Sequence, residues 1–308
     1  MEYPKMSYEV RRDIVGYGRN PPHPRWKNDA RIAINFVLNI EEGTEYSIGD
    51  GDGFAEATLT EFDASYVPRG DRDLAAESMF EYGSRVGVWR VLRLFEERGL
   101  PLTLNACALA VERHPELAAA IRDRNYDICC HGWRWVDHFL LPAEVERRHI
   151  LDAIASLERT VGRRPLGWCC RTGPSVNTRR LLKEIGGFLY DSDAYNDELP
   201  YWVDVEGLDH LVVPYTHTHN DSKYAPGPFA TAGDYETWHR DAFDWLYREG
   251  ATAPKMMSVG LHARMIGHPA RMAGLARFLD HIARHADVWV CERIEIAEHW
   301  RAHHPPRA

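Results

Sequence analysis

Short unbroken apolar runs trade places with segments of 3.6-residue periodicity along most of this chain. Residues 31–40 (RIAINFVLNI) are apolar and β-branched and predict a buried strand. Residues 86–98 carry a helical repeat that stops at Gly99, with Pro101 beyond. A strand is expected at 102–110, a short helix at 115–123 and a strand at 126–130. A long amphipathic helix at 142–161 ends at Gly162, followed by a strand at 166–170 and a helix at 177–185. Short strands fall at 188–190 and 210–213. Helices at 234–249, 270–284 and about 294–302 then alternate with strands at 255–261 and 288–291.

Strands separated by helices predict an α/β protein with a parallel sheet, as a barrel or an open doubly wound sheet. No G-x-G-x-x-G or Walker loop follows any strand, which counts against nucleotide binding. The chain shows no repeat and no linker. It is therefore expected to be one catalytic domain over 1–308, with its core at about 25–300 and a polar insertion at about 43–78. Within that insertion Asp50, Asp52 and Glu61 have the spacing of a calcium loop. Phe54 and Ala55 stand where a ligand and a glycine are needed, so an exposed acidic loop is expected instead.

Charge and composition narrow the partners. Basic residues number 37 and acidic ones 46, a net −9, which argues against nucleic acid as a partner. No apolar run reaches a membrane span, and the first residues lack the apolar core of a secretion signal, so a cytoplasmic protein is expected. The six cysteines form no C-x-x-C pair. They read as buried thiols, Cys170 being the one that adjoins candidate chemistry.

In parallel α/β folds the sites form at the C-terminal ends of strands. Those ends deliver Asn39, Glu41 and Glu42, then His131, Arg171, Asp191 with Asp193, and His262. Five strand ends bearing carboxylate, imidazole or guanidinium groups point to one catalytic face. His131 and His138 lie seven residues apart, too far to chelate one ion easily. His217 and His219 could present two imidazoles from an extended segment.

At these residues the sequence resembles the polysaccharide deacetylase-like (NodB-homology) superfamily, which implies a distorted (β/α) barrel of about seven units. The T-F-D-D motif of that superfamily falls on Asn39-Ile40-Glu41-Glu42, and its H-S/T-x-x-H motif on His131 through Trp135, where the second histidine is lost. Its conserved arginine falls on Arg171, its fourth motif on Asp191 through Trp202, and its L-H pair on Leu261-His262. The strings Asn20-Pro-Pro-His-Pro24, Glu81-Tyr-Gly-Ser-Arg85 and Gly186-Gly-Phe-Leu-Tyr-Asp-Ser-Asp193 resemble one branch, the metal-independent allantoinases and cyclic-imide hydrolases. Ser175-Val176 after Arg171-Thr-Gly-Pro174 departs from that branch.

The resemblance implies hydrolysis of a cyclic amide, allantoin to allantoate first, with no metal and no cofactor, by a homo-oligomer (a tetramer in the relatives). A metal-dependent deacetylase is the alternative. Without a metal, a carboxylate must activate water, an acid must protonate the leaving nitrogen, and donors must hold the oxyanion. Glu41 is the expected base, with Glu42 sharing its proton or holding substrate N–H groups, and His131 and His262 as acids or polarising groups. Asn39, Trp135, Arg171 and Asp191 are expected around a flat cyclic ureide or imide.

Overall fold

The computed structural model describes residues 10–225 and 227–306. Among them the chain runs β1 (Ile32–Ile40), α1 (Leu74–Tyr82), a π-helical turn (Gly83–Gly87), α2 (Val88–Arg98), β2 (Thr103–Ala106), α3 (Ala108–Arg113), α4 (Pro115–Arg124) and β3 (Asp127–Cys130). It continues with α5 (Ala143–Val161), β4 (Gly167–Trp168), α6 (Thr178–Ile185), β5 (Tyr190–Asp191), β6 (Tyr201–Val205), β7 (Leu208–Val212) and α7 (Ala232–Glu249). The last elements are β8 (Lys255–His262), α8 (Ala263–Ile266), α9 (Pro269–Ile282), β9 (Val288–Val290) and α10 (Arg293–His303).

The strands form one curled sheet in the order β6-β7-β5-β4-β3-β2-β1-β8, parallel except for the β6–β7 hairpin. β8 pairs along nearly all of β1, from Ile32–Lys255 to Asn39–His262. β9 takes the first residues of β1 and β2 the last ones. A bridge from Asn220 to Gly260 carries the chain beyond β7 back to β8, so the sheet curls into an incomplete barrel. Gly260 is required there, because a Cβ would overlap Asn220 and the Tyr215 hydroxyl. This is the α/β distorted barrel that the alternating pattern and the family resemblance imply.

Two differences concern boundaries. The insertion after β1 ends earlier than residue 78, since Asp73 caps α1 by accepting from the Ala76 N–H. The expected strand at 102–110 stops at Ala106, and α3 begins at Ala108. Of the insertion's acids, Glu61 is exposed as expected, whereas Asp50 pairs with Arg113 at 2.6 Å and Asp52 with Arg134 at 2.5 Å.

Strand parity divides the core in two. Ile32, Ile34, Phe36, Leu38 and Ile40 of β1 face outward into the helices, where they pack with Phe95 and Phe278. Ala33 and Val37 face the barrel interior with Cys129, Tyr190, Leu211 and Met256. The intervening inward positions are polar: Asn35, Asn39, Asn105 and Ser258 are all buried. Arg293, the first residue of α10, fills the lower interior. Its guanidinium donates to Asn35 Oδ1 and Ser258 Oγ at 2.8 Å, to Ser192 Oγ at 2.7 Å and to the Val213 carbonyl at 2.5 Å. A fully buried cation is tolerable only with this degree of pairing.

Candidate active site

The inward row of β1 continues one step past the strand to Glu41. Asn39 sits below it, donating through Nδ2 to the Leu261 carbonyl at 2.9 Å and the Tyr215 hydroxyl at 3.1 Å. Parity brings His131 inward after Cys129 of β3, and His262 inward after Gly260 of β8. The Glu41 Oε1 atom lies 3.3 Å from His131 Nε2 and 3.6 Å from His262 Nε2. All three line a cavity of about 70 Å³, together with Asn39, Trp135 and His217.

Both imidazoles are held from behind. His131 Nδ1 lies 2.7 Å from the Cys169 carbonyl and 3.1 Å from Asn105 Nδ2, which fixes the ring with Nε2 turned to Glu41. His262 Nδ1 lies 2.6 Å from Asp221 Oδ1, and the same carboxylate accepts the His262 backbone N–H at 2.7 Å. Burial would push the His262 pKa down. Asp221 and Glu41 outweigh it and raise the pKa, favouring an imidazolium.

Arg264, like Asp221, is a site residue that the sequence did not point to. Its Nη2 lies 2.7 Å from Glu41 Oε2 and its Nη1 3.3 Å from Glu42 Oε1. The Glu41 contact is a close ion pair with both side chains buried. Burial would raise the Glu41 carboxyl, but Arg264, His262 and His131 together hold it well below the usual carboxylate range. Burial does raise the Glu42 carboxyl, with Glu41 adding to the shift and Arg264 opposing it.

Three expected site residues are placed elsewhere. Glu42 follows Glu41 by one residue and so points outward, to Arg264 and to Gly83 of the π-helical turn, where a Cβ would overlap its carboxylate. Asp191 is likewise on an outward position of β5. It is fully buried between Arg179, at 2.7 Å, and His210, at 2.8 Å, and does not line the cavity at Glu41. Arg171 passes over the top of the site and stacks on the Trp135 ring at 3.7 Å. It donates to the Trp135 carbonyl at 2.9 Å and pairs with Glu56. It builds the wall behind Trp135 and lends the cavity no donor.

The rest of the rim was not legible in advance. Thr172 lines the cavity with φ +59°, and Gly173 N–H returns to the Arg171 carbonyl at 2.5 Å. A three-residue turn centred on a β-branched residue at positive φ is strained and costs about 1–3 kcal/mol. It aims the Thr172 carbonyl at the Tyr195 hydroxyl, 2.9 Å away. His217 packs on Tyr195 and lines the cavity, whereas His219 packs toward His239, so these two do not form a pair of ligands. His138 is enclosed beside Glu146 at 3.4 Å. The six cysteines are free and buried, and burial raises the Cys170 thiol well above its ordinary pKa.

This arrangement has recognisable relatives. The polysaccharide deacetylase family pattern matches residues 71–187. A protein of Schizosaccharomyces pombe named "Putative polysaccharide deacetylase" is 40% identical over 98% of this chain and 100% of its own. A crystal structure of a "probable Polysaccharide deacetylase" from Pseudomonas aeruginosa PAO1 is 49% identical, with TM-score 0.92, over 97% of this chain and 100% of that one. The chain belongs to the polysaccharide deacetylase family, and fold and site define a hydrolase. The crystal structure of PuuE allantoinase is 48% identical to it, with TM-score 0.93 over 97% of this chain and all of that one, which puts the chain beside the allantoinase branch.

The residues at the family's metal positions do not fit an ion. Glu42 is turned outward onto Arg264, and Trp135 has no donor atom for a metal. The Trp135 ring is flanked by the guanidinium groups of Arg171 and Arg264, at 3.7 and 4.8 Å from its centre. A cation beside His131 would meet the Arg264 charge across Glu41.

Proposed function

We propose that this protein opens the ring of a cyclic amide by hydrolysis, allantoin first and other cyclic ureides or imides second, with no metal ion. One observation carries the reading: the ionised Glu41 carboxylate stands between two imidazoles on a small cavity, and Trp135 replaces the histidine a metal would need. The similarity to PuuE allantoinase supports the choice of substrate.

Water at the cavity gives its proton to Glu41, and its oxygen attacks the ring carbonyl carbon. The carbonyl π electrons move to oxygen. That oxyanion is stabilised by the imidazolium of His262 and by His131. Collapse breaks the ring C–N bond, and His262 delivers its Nε2 proton to the departing nitrogen. Asp221 keeps His262 cationic, and Arg264 fixes the Glu41 carboxylate in place. Trp135, Tyr195 and His217 wall a space suited to a small flat heterocycle rather than a sugar polymer.

The test is a panel of allantoin, hydantoin, dihydrouracil, succinimide and N-acetylated sugars, each with and without EDTA. Ring opening of allantoin, indifferent to EDTA, is expected. Deacetylation of the sugars, lost on chelation, would overturn the reading.

A further inference from the structure

Far from the barrel mouth, α7, α9 and the turn after α9 bring together Asp244, His281 and His285. One donor atom from each lies within 4.8 Å of the others, an arrangement found at this one place among the described residues. His281 Nε2 faces Asp244 Oδ1 at 2.6 Å. His285 Nδ1 faces the His281 carbonyl at 3.0 Å, so its proton sits on Nδ1 and its Nε2 lone pair is free. Metal-bound histidines are commonly fixed in just this way, the second ring nitrogen donating to a backbone carbonyl.

The surroundings suit a bound ion. His281, in the last turn of α9, and His285, three residues past its end, bring their ring centroids within 4.7 Å of each other, so the two imidazoles lie side by side. Phe243 and Tyr247 back them, each 5.0 Å from the His285 ring, and hold it from rotating away. The Asp244 side chain is 45% exposed and that of His281 19% exposed, which leaves the outer side open to water.

We infer that Asp244, His281 and His285 form a surface site for a divalent transition ion of zinc type, joining α7 to α9. Two imidazole nitrogens and one carboxylate oxygen suit zinc, with water completing the tetrahedron. On binding, the ion replaces the proton shared between His281 Nε2 and Asp244, and that proton is released to solvent. The site lies outside the catalytic machinery. It therefore predicts a metal that copurifies with the protein and stabilises it without serving the reaction.

The experiment uses the full-length, untagged protein, stripped with EDTA, dialysed, and titrated with zinc chloride at about neutral pH. One equivalent should bind, with proton release, and Tm should rise with zinc concentration. His285→Gln and Asp244→Asn should each weaken binding by roughly tenfold or more, the scale on which metal sites respond to a lost partner. The two side chains are partly exposed, so both variants are expected to fold, and their zinc-free Tm should match the parent. Glu41→Gln should retain the zinc equivalent. Absence of saturable binding, or unchanged affinity in the His281→Gln/His285→Gln double variant, would overturn the inference. Neither readout depends on turnover, so the outcome is separate from that of the proposed reaction.

Discussion

Arg264 and Glu41 form an ion pair at 2.7 Å in which both side chains are about 1% exposed. Removing the cation would strand the Glu41 and Glu42 carboxylates in the interior together. Arg264→Gln should therefore cost about 3–5 kcal/mol of stability, the usual penalty for breaking a buried pair from one side. A carboxyl that folding holds low contributes stability that is present above its ordinary value of 4.5 and is lost as pH falls toward the folded value. Acid unfolding of Arg264→Gln should begin at higher pH than in the parent, and the acid limb of its rate profile should move up. Denaturant melts across a pH series measure the first, and kcat/KM across the same series the second.

The Asp221–His262 pair predicts the opposite limb. The folded His262 pKa lies above its ordinary 6.5, so the imidazolium, and the stability it brings, persists above that value and is lost as pH rises through the folded pKa. Asp221→Asn should move the alkaline limb of kcat/KM to lower pH. An unmoved limb would show that His262 is not the acid.

Parity makes a separate prediction about adjacent carboxylates. Glu42 touches Arg264 and not the cavity, so Glu42→Gln should alter stability and leave KM nearly unchanged. A rise in KM without a change in Tm would return Glu42 to the substrate.

Arg171 acts through the Trp135 ring and Glu56. Arg171→Lys loses the planar stack and the fork of donors. Its effect on kcat/KM should be strongly non-additive with Trp135→Phe in a double-mutant cycle, by about 0.5–3 kcal/mol. Additive effects would contradict the shared wall.

The alternation of apolar runs and helical repeats was enough to place most elements of the barrel, because buried parallel strands and amphipathic helices mark themselves in sequence. The β6–β7 hairpin was legible in only one of its two strands, since β6 is partly exposed and lacks the apolar run. Reading strand ends located Glu41, His131 and His262. It also drew in Glu42 and Asp191, which the period-two alternation of a strand sends to the outer face; counting parity from Asn35 and Asn39 would have separated Glu42. Arg264 stands two residues past His262 but already in α8, so the strand count does not reach it. Nor does it reach Asp221 and Thr172, because a long irregular segment and a strained turn place them, and neither has a periodic signature.

Steady-state hydrolysis of allantoin by the parent protein and by Glu41→Gln, both freed of metal beforehand, tests the role of Glu41 most directly. Glutamine keeps the size of the side chain but cannot take a proton from water. The expected result is full activity in the metal-free parent and a kcat lower by roughly 10²–10⁴-fold in the variant, with KM little changed. A parent silent without metal, or a variant as active as the parent, would contradict it.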